Sequence, residues 1–222
     1  MPARLSIRHY FSGRYQAAAQ YFAHRATSLE AGGSEPLHGE EFVAHHSSVT
    51  GALMHSVASL EALVNEILTD AAEGKPTAVQ GLTPGQLGEV RKLAALPQTD
   101  RLSILEKYDA VHVILTGTPL DKGKEPYQSV QLLIKLRNAL VHFFPESVPS
   151  DSTREADEIH RLEKSLRKQF PENRRTSPGN PWYPDKCLGA GCAQWAVDTS
   201  RAFADTFSRS LGIETPESFR AS

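Results

Sequence analysis

Apolar residues recur along this chain at the spacing of amphipathic helices, and no stretch alternates apolar and polar residues as a half-buried strand does. The clearest helical pattern covers about residues 40–73 and ends at Gly74-Lys75-Pro76. Its apolar residues step by four, three, four and three positions: Leu53, Val57, Leu60, Val64 and Ile67. This spacing places them on one side of a helix and predicts a long helix within a bundle.

Further helices are predicted over about residues 8–30, 101–115, 127–144, 153–170 and 192–211, with a short one from Pro84. The apolar anchors of the first are Tyr10, Tyr15, Ala18, Tyr21, Phe22 and Leu29. Asp100 is the predicted N-cap of the helix over 101–115, although β-branched residues in 112–116 also fit a short strand. The pattern predicts an all-α fold, a helical bundle of about five mostly up-and-down helices.

The length and composition are those of one globular domain over residues 1–222, with a core at about 40–145 and C-terminal helices at 153–211 packing on it. The net charge of -2 excludes a protein that binds polyanions through its overall charge, so any nucleic-acid contact needs a local basic patch. No apolar run reaches the length of a membrane span, and residues 1–8 contain no signal-peptide core. We expect a cytoplasmic protein that does not bind membranes.

The helix over 127–144 carries a cation where apolar residues should be buried. Six apolar residues lie within about 60° of Arg137 on a helical wheel: Val130, Leu133, Ile134, Leu140, Val141 and Phe144. A lone buried cation costs several kcal/mol unless it is paired or remains accessible to water. Arg137 therefore needs a partner or a ligand.

Asn138 and His142 are four positions apart, so their side chains meet on one flank of this helix, whereas Arg137 lies about 100–140° away from His142. A histidine can transfer protons near neutral pH, an arginine can stabilise charge on a phosphate, and Asn138 could orient either group. These residues suit cleavage of a phosphodiester without a metal. Alternatively, Arg137 belongs to a buried ion pair and His142 caps the helix C-terminus.

Two further groups of residues are candidates for supporting roles. Glu61 and Asn65 lie beside the apolar seam of the long helix, and Glu61 would pair with Arg137 if the two helices pack together, or would be an ordinary exposed glutamate. Residues 161–175 hold six Lys or Arg against two Glu, which fits either a phosphate-binding strip or a solvated charged face. The candidate RNA-binding residues there are Arg167, Lys168, Arg174 and Arg175.

The two cysteines, Cys187 and Cys192, provide half of a zinc site at most, because no histidine follows His160 to complete it. We therefore predict no metal and no other cofactor. Trp182 and Tyr183 lie between prolines and are predicted to pack onto the bundle as part of a loop, with RNA stacking as the alternative.

Together these segments resemble the HEPN superfamily of helical domains, found in many bacterial toxin and phage-defence ribonucleases. The residues that carry the resemblance are Arg137, Asn138 and His142, spaced as in the family's Arg-polar-x3-His motif, with Glu61 and Asn65 on an upstream helix. Helix order and spacing agree over about residues 40–145.

The resemblance implies a metal-independent endoribonuclease of a toxin–antitoxin or defence system, acting on RNA such as tRNA. If this chain acts as members of that family do, His142 would deprotonate a ribose 2′-hydroxyl or protonate the leaving oxygen. Arg137 would stabilise the charge of the phosphorane, and Asn138 would position the RNA or His142. Members usually form homodimers in which two motifs line one cleft, and an antitoxin or other partner would be a separate chain. The alternative within the family is a catalytically inactive subunit that binds RNA or a partner protein.

Overall fold

The computed structural model describes residues 7–145 and 161–220, and all the regular secondary structure in these residues is helical. The seven α-helices are α1 (Ser12–Ala31), α2 (Gly39–Glu73), α3 (Pro84–Ala94), α4 (Ile104–Thr116), α5 (Tyr127–Val141), α6 (Glu163–Leu166) and α7 (Ala190–Leu211). The all-α prediction is confirmed. The predicted number, about five, is low, since seven α-helices are described; the short helix predicted from Pro84 is α3, of 11 residues, with a capping box between Thr83 and Gln86.

Hydrogen bonds between the helices give their directions. Ser12 at the start of α1 donates its backbone N–H to Glu66 near the end of α2 (2.9 Å), and Glu30 near the end of α1 binds His45 near the start of α2 (2.8 Å). The helices α1 and α2 are therefore antiparallel. Ala190 and Ser200 of α7 bind Glu30 and Gln16 of α1 in the same reversed order, so α7 is antiparallel to α1 and runs in the direction of α2.

The long helix α2 lies at the centre of one hydrophobic core to which α1, α3, α4, α5 and α7 contribute. All five residues of its predicted seam are buried, with 0–1% of their surface exposed. The predicted bounds, about 40–73, agree with Gly39–Glu73. The helix ends where Gly74 takes a left-handed conformation (φ +68°), which a glycine adopts without steric cost.

Helix α1 buries a different face from the predicted one. The predicted aromatic anchors lie at its edges or are exposed, as Tyr21 is, while the buried residues are Ser12, Gln16, Ala19, Ala23 and Ala26. Four of these five residues are small, which allows the backbone of α1 to approach α2 closely, and the fifth, Gln16, accepts a hydrogen bond from Ser59 of α2. The prediction was wrong because it counted large apolar side chains, whereas close helix packing favours small ones at the contact.

The predictions for the remaining helices were right in part. Residues 112–116 belong to α4, so the strand alternative is wrong, and Ser103 rather than Asp100 caps this helix, in a capping box with Glu106. Residues 153–160 of the predicted helix over 153–170 lie outside the described residues; of its described part, 161–170, only Glu163–Leu166 is α-helical. The last helix starts at Ala190, close to the predicted 192.

Tyr108 joins α4 to α2 and α7. Its ring is fully buried edge-on to Phe203 and Phe207, and its hydroxyl donates to the Leu60 carbonyl oxygen at 2.8 Å. Burial raises the pKa of this phenol well above its ordinary value, so the group remains a neutral donor.

We expect Tyr108→Phe to lower the free energy of unfolding by about 1 kcal/mol, since it removes one buried hydrogen bond and keeps the ring packing. Urea denaturation measures the change. Tyr21→Phe is the matched control, because the Tyr21 ring is exposed, and it should leave the stability unchanged. Equal stability of Tyr108→Phe and wild type would show that this hydrogen bond contributes nothing.

Candidate functional site

The candidate site lies at the C-terminal end of α5. The helix ends at Val141, three residues earlier than predicted, and His142 takes a non-helical conformation (φ -105°, ψ +47°) while its N–H still binds the Asn138 carbonyl oxygen at 2.9 Å. Pro145 explains the early end, because a proline disfavours helical conformation in the residue before it, Phe144. His142 therefore occupies the C-cap position.

Asn138 and His142 lie together as predicted from their spacing. Both side chains are exposed and line an open cavity of about 590 Å³ between α5 and the segment at Arg161–Ser165. Lys135 and Arg161 also line this cavity, so two cations and a histidine face the same space. We call it the His142 groove.

Arg137 faces elsewhere. It is half-buried on the inward side of α5 and is not among the residues that line the His142 groove, as its angular separation from His142 predicts. Its Nε is buried and has no hydrogen-bond partner among residues 7–145 and 161–220. Leaving such a donor unpaired costs about 1–3 kcal/mol, so a group that pairs with it would be stabilising.

The hypothetical ion pair between Arg137 and Glu61 is not present in the described part of the structure. Glu61 is exposed, and no described residue forms an ion pair with it. Near the end of α5, Leu140 lines a cavity together with Met54 of α2, and Glu61 lies two helical turns further along α2. Asn65 accepts a hydrogen bond from the Lys107 ammonium at 2.9 Å and thereby links α2 to α4.

The four candidate RNA-binding residues of the basic segment divide into two pairs. Arg167 binds Glu163 (2.9 Å) and lies over the Trp182 ring, and Arg175 donates to the backbone oxygens of Leu29 in α1 and of Glu35 in the segment after α1. Both guanidinium groups therefore serve internal contacts. Lys168 and Arg174 are exposed.

A second cavity, of about 380 Å³, lies on the other side of the α5 end, and the sequence analysis did not identify it. Leu140 and Phe143 form one wall, the start of α2 contributes Phe42 and His46, and the segment before α7 contributes Asp185. The only feature of the sequence that could have indicated this cavity is the aromatic pair Phe42 and His46, four residues apart at the start of α2. We call this space the Asp185 pocket.

Partial desolvation shifts the pKa values of His46 and Asp185 in opposite directions. Desolvation, reinforced by the nearby His45, lowers the pKa of His46, while desolvation raises the pKa of Asp185 and the charge of His46 offsets part of that rise. Both shifts disfavour the charged forms. A ligand with hydrogen-bond donors for Asp185 would restore some of the solvation that the carboxylate lost.

Buried contacts hold the wall behind this pocket. The Glu30 carboxylate accepts hydrogen bonds from His45 Nε2 (2.8 Å) and from the N–H of Ala190 (2.6 Å), and so joins α1, α2 and α7. Gly189 is required beside it, because an added Cβ would lie 2.7 Å from the Asn173 side chain. These contacts hold in place His45 and Asn173, which line the Asp185 pocket.

Trp182 and Tyr183 are buried, which agrees with the predicted packing onto the bundle rather than with RNA stacking. Cys187 and Cys192 are buried free thiols, and burial raises the pKa of both, so neither is a reactive thiolate. Within the residues that the structure describes, no group of three His, Cys, Asp or Glu side chains could hold a metal ion. No helix in the same residues has both the length and the apolarity needed to cross a membrane.

Comparisons of the sequence with protein-family models and with curated proteins, and of the structure with solved structures, found no match. The chemistry and geometry of the residues are therefore what supports a function for this chain.

Proposed function

We propose that the protein is a metal-independent endoribonuclease of a bacterial toxin–antitoxin or phage-defence system, active as a homodimer. One observation carries the proposal: a buried arginine nitrogen without a partner among residues 7–145 and 161–220 lies on the same helix end as exposed Asn138 and His142, which face a groove lined by cations. A phosphodiester supplies the anion that such residues would bind. The resemblance of Arg137, Asn138 and His142 to the HEPN motif supports the same conclusion.

The reaction needs proton transfer and charge stabilisation. The ribose 2′-oxygen attacks the phosphorus, the bond from phosphorus to the 5′-oxygen breaks, and the products are a 2′,3′-cyclic phosphate and a free 5′-hydroxyl. His142 would accept the 2′-hydroxyl proton or donate a proton to the leaving 5′-oxygen. Arg137 would stabilise the phosphorane charge, and Asn138 would orient the RNA or His142.

A second copy of the chain would solve the geometric problem of the site. Arg137 does not line the groove that Asn138 and His142 face, so a single subunit does not present Arg137 and His142 to the same groove. If the α5 ends of two subunits cross at a twofold axis, the arginine of one could face the histidine of the other. The exposed apolar residues at this end favour such an interface: Val141, Phe143 and Phe144 are 50%, 51% and 77% exposed.

The RNA would enter through the His142 groove. Lys135 and Arg161 are exposed on its walls and would bind phosphates next to the scissile one. Because the net charge of the whole chain is -2, this local concentration of cations is what would attract RNA. An antitoxin or other neutralising partner would be a separate chain, and one that blocks the groove would suppress cleavage.

The test is cleavage of total RNA and of tRNA by the purified protein in excess EDTA, with the mass of the particle measured by light scattering. We expect cleavage products that end in a 2′,3′-cyclic phosphate, formed by a particle of about two chains. No cleavage at any protein concentration would refute the ribonuclease proposal, and cleavage by a monomer would refute the composite site.

The alternative function is a catalytically inactive subunit that binds a partner protein or RNA. The same exposed apolar residues favour it, since a partner would cover them whether or not the site performs chemistry. A stable dimer that leaves RNA intact in the same experiment would favour this alternative.

A further inference from the structure

The Asp185 pocket combines an aromatic surface with a half-buried carboxylate. The rings of Phe42 and His46 are stacked, with centroids 5.8 Å apart and planes inclined by 20°, and both side chains are exposed at the pocket. They lie one turn apart on α2, so the helix holds the stack in place. Paired aromatic surfaces of this kind bind flat rings by stacking.

Asp185 lies across the pocket from α2. Its neighbours Trp182 and Tyr183 are buried, which fixes the backbone that carries it. The Asp185 carboxylate is half-buried and accepts no hydrogen bond from residues 7–145 or 161–220. It lies near enough to His46 for their charges to interact. The pocket therefore offers a carboxylate acceptor beside a stacking surface.

We propose that the Asp185 pocket binds a guanine base, stacked against Phe42 and His46, with its N1–H and 2-amino group donating to the Asp185 carboxylate. The volume of about 380 Å³ lies within the range of small-molecule pockets. Bases that leave a nucleic-acid stack are read in this way, by stacking and by hydrogen bonds to the Watson–Crick edge.

The carboxylate favours guanine over the other bases. An ionised carboxylate only accepts hydrogen bonds, and its two oxygens match two adjacent donors. Guanine presents two adjacent donors on its Watson–Crick edge. Adenine and cytosine present one donor group next to an acceptor, and uracil presents one donor between two acceptors, so each would place a lone pair against Asp185.

The inference rests on the proposed function in one respect, which is the source of the guanine. Leu140 and Phe143 line the Asp185 pocket, while Asn138 and His142 line the His142 groove on the other side of the same helix end. An RNA strand lying in the groove could place a nearby guanine in the pocket, which would give the nuclease its sequence preference. A free guanine nucleotide has the same base chemistry and is the other source.

The test is titration calorimetry of the full chain with GMP, AMP, CMP and UMP, together with two short RNAs that differ only in one guanine or adenine. We expect GMP to bind about tenfold more tightly than AMP, the discrimination that a bidentate contact provides. Asp185→Asn should reduce this ratio to about twofold or less. Asp198→Asn makes the same chemical change on the exposed face of α7 and should keep the full preference.

Equal binding of the four nucleotides, or an unchanged GMP preference in Asp185→Asn, would overturn the inference. Phe42→Ala provides a second variant, since Phe42 is exposed and its loss should weaken all nucleotides without unfolding the chain. Tighter binding of the guanine-containing RNA than of GMP would identify RNA as the source, and the reverse would identify a free nucleotide. A GMP preference without RNA cleavage would refute the proposed function alone, and cleavage without a guanine preference would refute this inference alone.

Discussion

A one-to-one mixture of His142→Ala and Arg137→Gln subunits should recover RNA cleavage that neither variant has alone. Each single variant should lose activity by about 10²-fold or more, because one removes the proton-transfer group and the other the phosphate-stabilising group. In a heterodimer, the intact Arg137 of one subunit would face the intact His142 of the other. Random pairing makes half of the dimers mixed, each with one intact site of two, so about a quarter of the wild-type rate should return.

The subunits should be co-expressed with different tags, and RNA cleavage measured in EDTA. His24→Ala and Arg25→Gln make the same changes at exposed positions of α1 and should retain wild-type cleavage. The absence of recovery in purified heterodimers would show that each subunit uses its own arginine and histidine. His142 is exposed at the C-cap, so His142→Ala should melt at the wild-type temperature, which separates a lost proton-transfer group from a lost fold.

Glu30→Ala should destabilise the protein by about 3 kcal/mol, since hydrogen bonds to a charged group contribute about 1.5–3 kcal/mol each and leaving their donors unpaired is costly. The substitution leaves His45, which is 2% exposed, and the N–H of Ala190 without their shared acceptor. For a chain of this size, the loss corresponds to a decrease in Tm of about 6–12 °C.

Urea denaturation and calorimetry measure the Glu30→Ala effect. Glu30→Gln retains one carbonyl oxygen as an acceptor and should cost less than half as much, while Glu35→Ala, on an exposed turn, should change the stability by less than about 0.5 kcal/mol. A Glu30→Ala variant as stable as Glu35→Ala would mean that the junction of α1, α2 and α7 does not depend on this carboxylate. Because Glu30 supports the back of the Asp185 pocket, Glu30→Ala should also weaken GMP binding.

The positions of helices could be predicted well where they depend only on residues close together in the sequence. The seam of α2 and the stop at Gly74 depend only on residues within a few turns, and the predicted bounds agree with the structure. The relation of Arg137 to Asn138 and His142 was also predicted, because positions on one helix have a fixed angular separation. The end of α5 was predicted three residues too late, because a proline such as Pro145 disfavours helical conformation already in the residue before it.

The contact face of α1 and the partner of Arg137 could not be predicted in the same way. Whether α1 buries Ala19 or Tyr21 depends on how closely α2 approaches, and whether Glu61 reaches Arg137 depends on where the end of α5 meets α2. Both are properties of helix pairs. A shift of two turns along α2, from Glu61 to Met54, changes the neighbour of α5 without changing the periodicity of either helix.

The sequence by itself determined the helical class, the course of the long central helix and the flank that joins Asn138 to His142, because these follow from spacing within single helices. Only the tertiary structure decided that Glu30 binds His45 and Ala190, that Arg137 Nε is buried without a partner among the described residues, and that His46 and Asp185 share a pocket. His46 and Asp185 are far apart in the chain, and no local pattern encodes which distant side chains meet. Their proximity results from packing the faces of several helices around one core, where small shifts of each helix change the contacts.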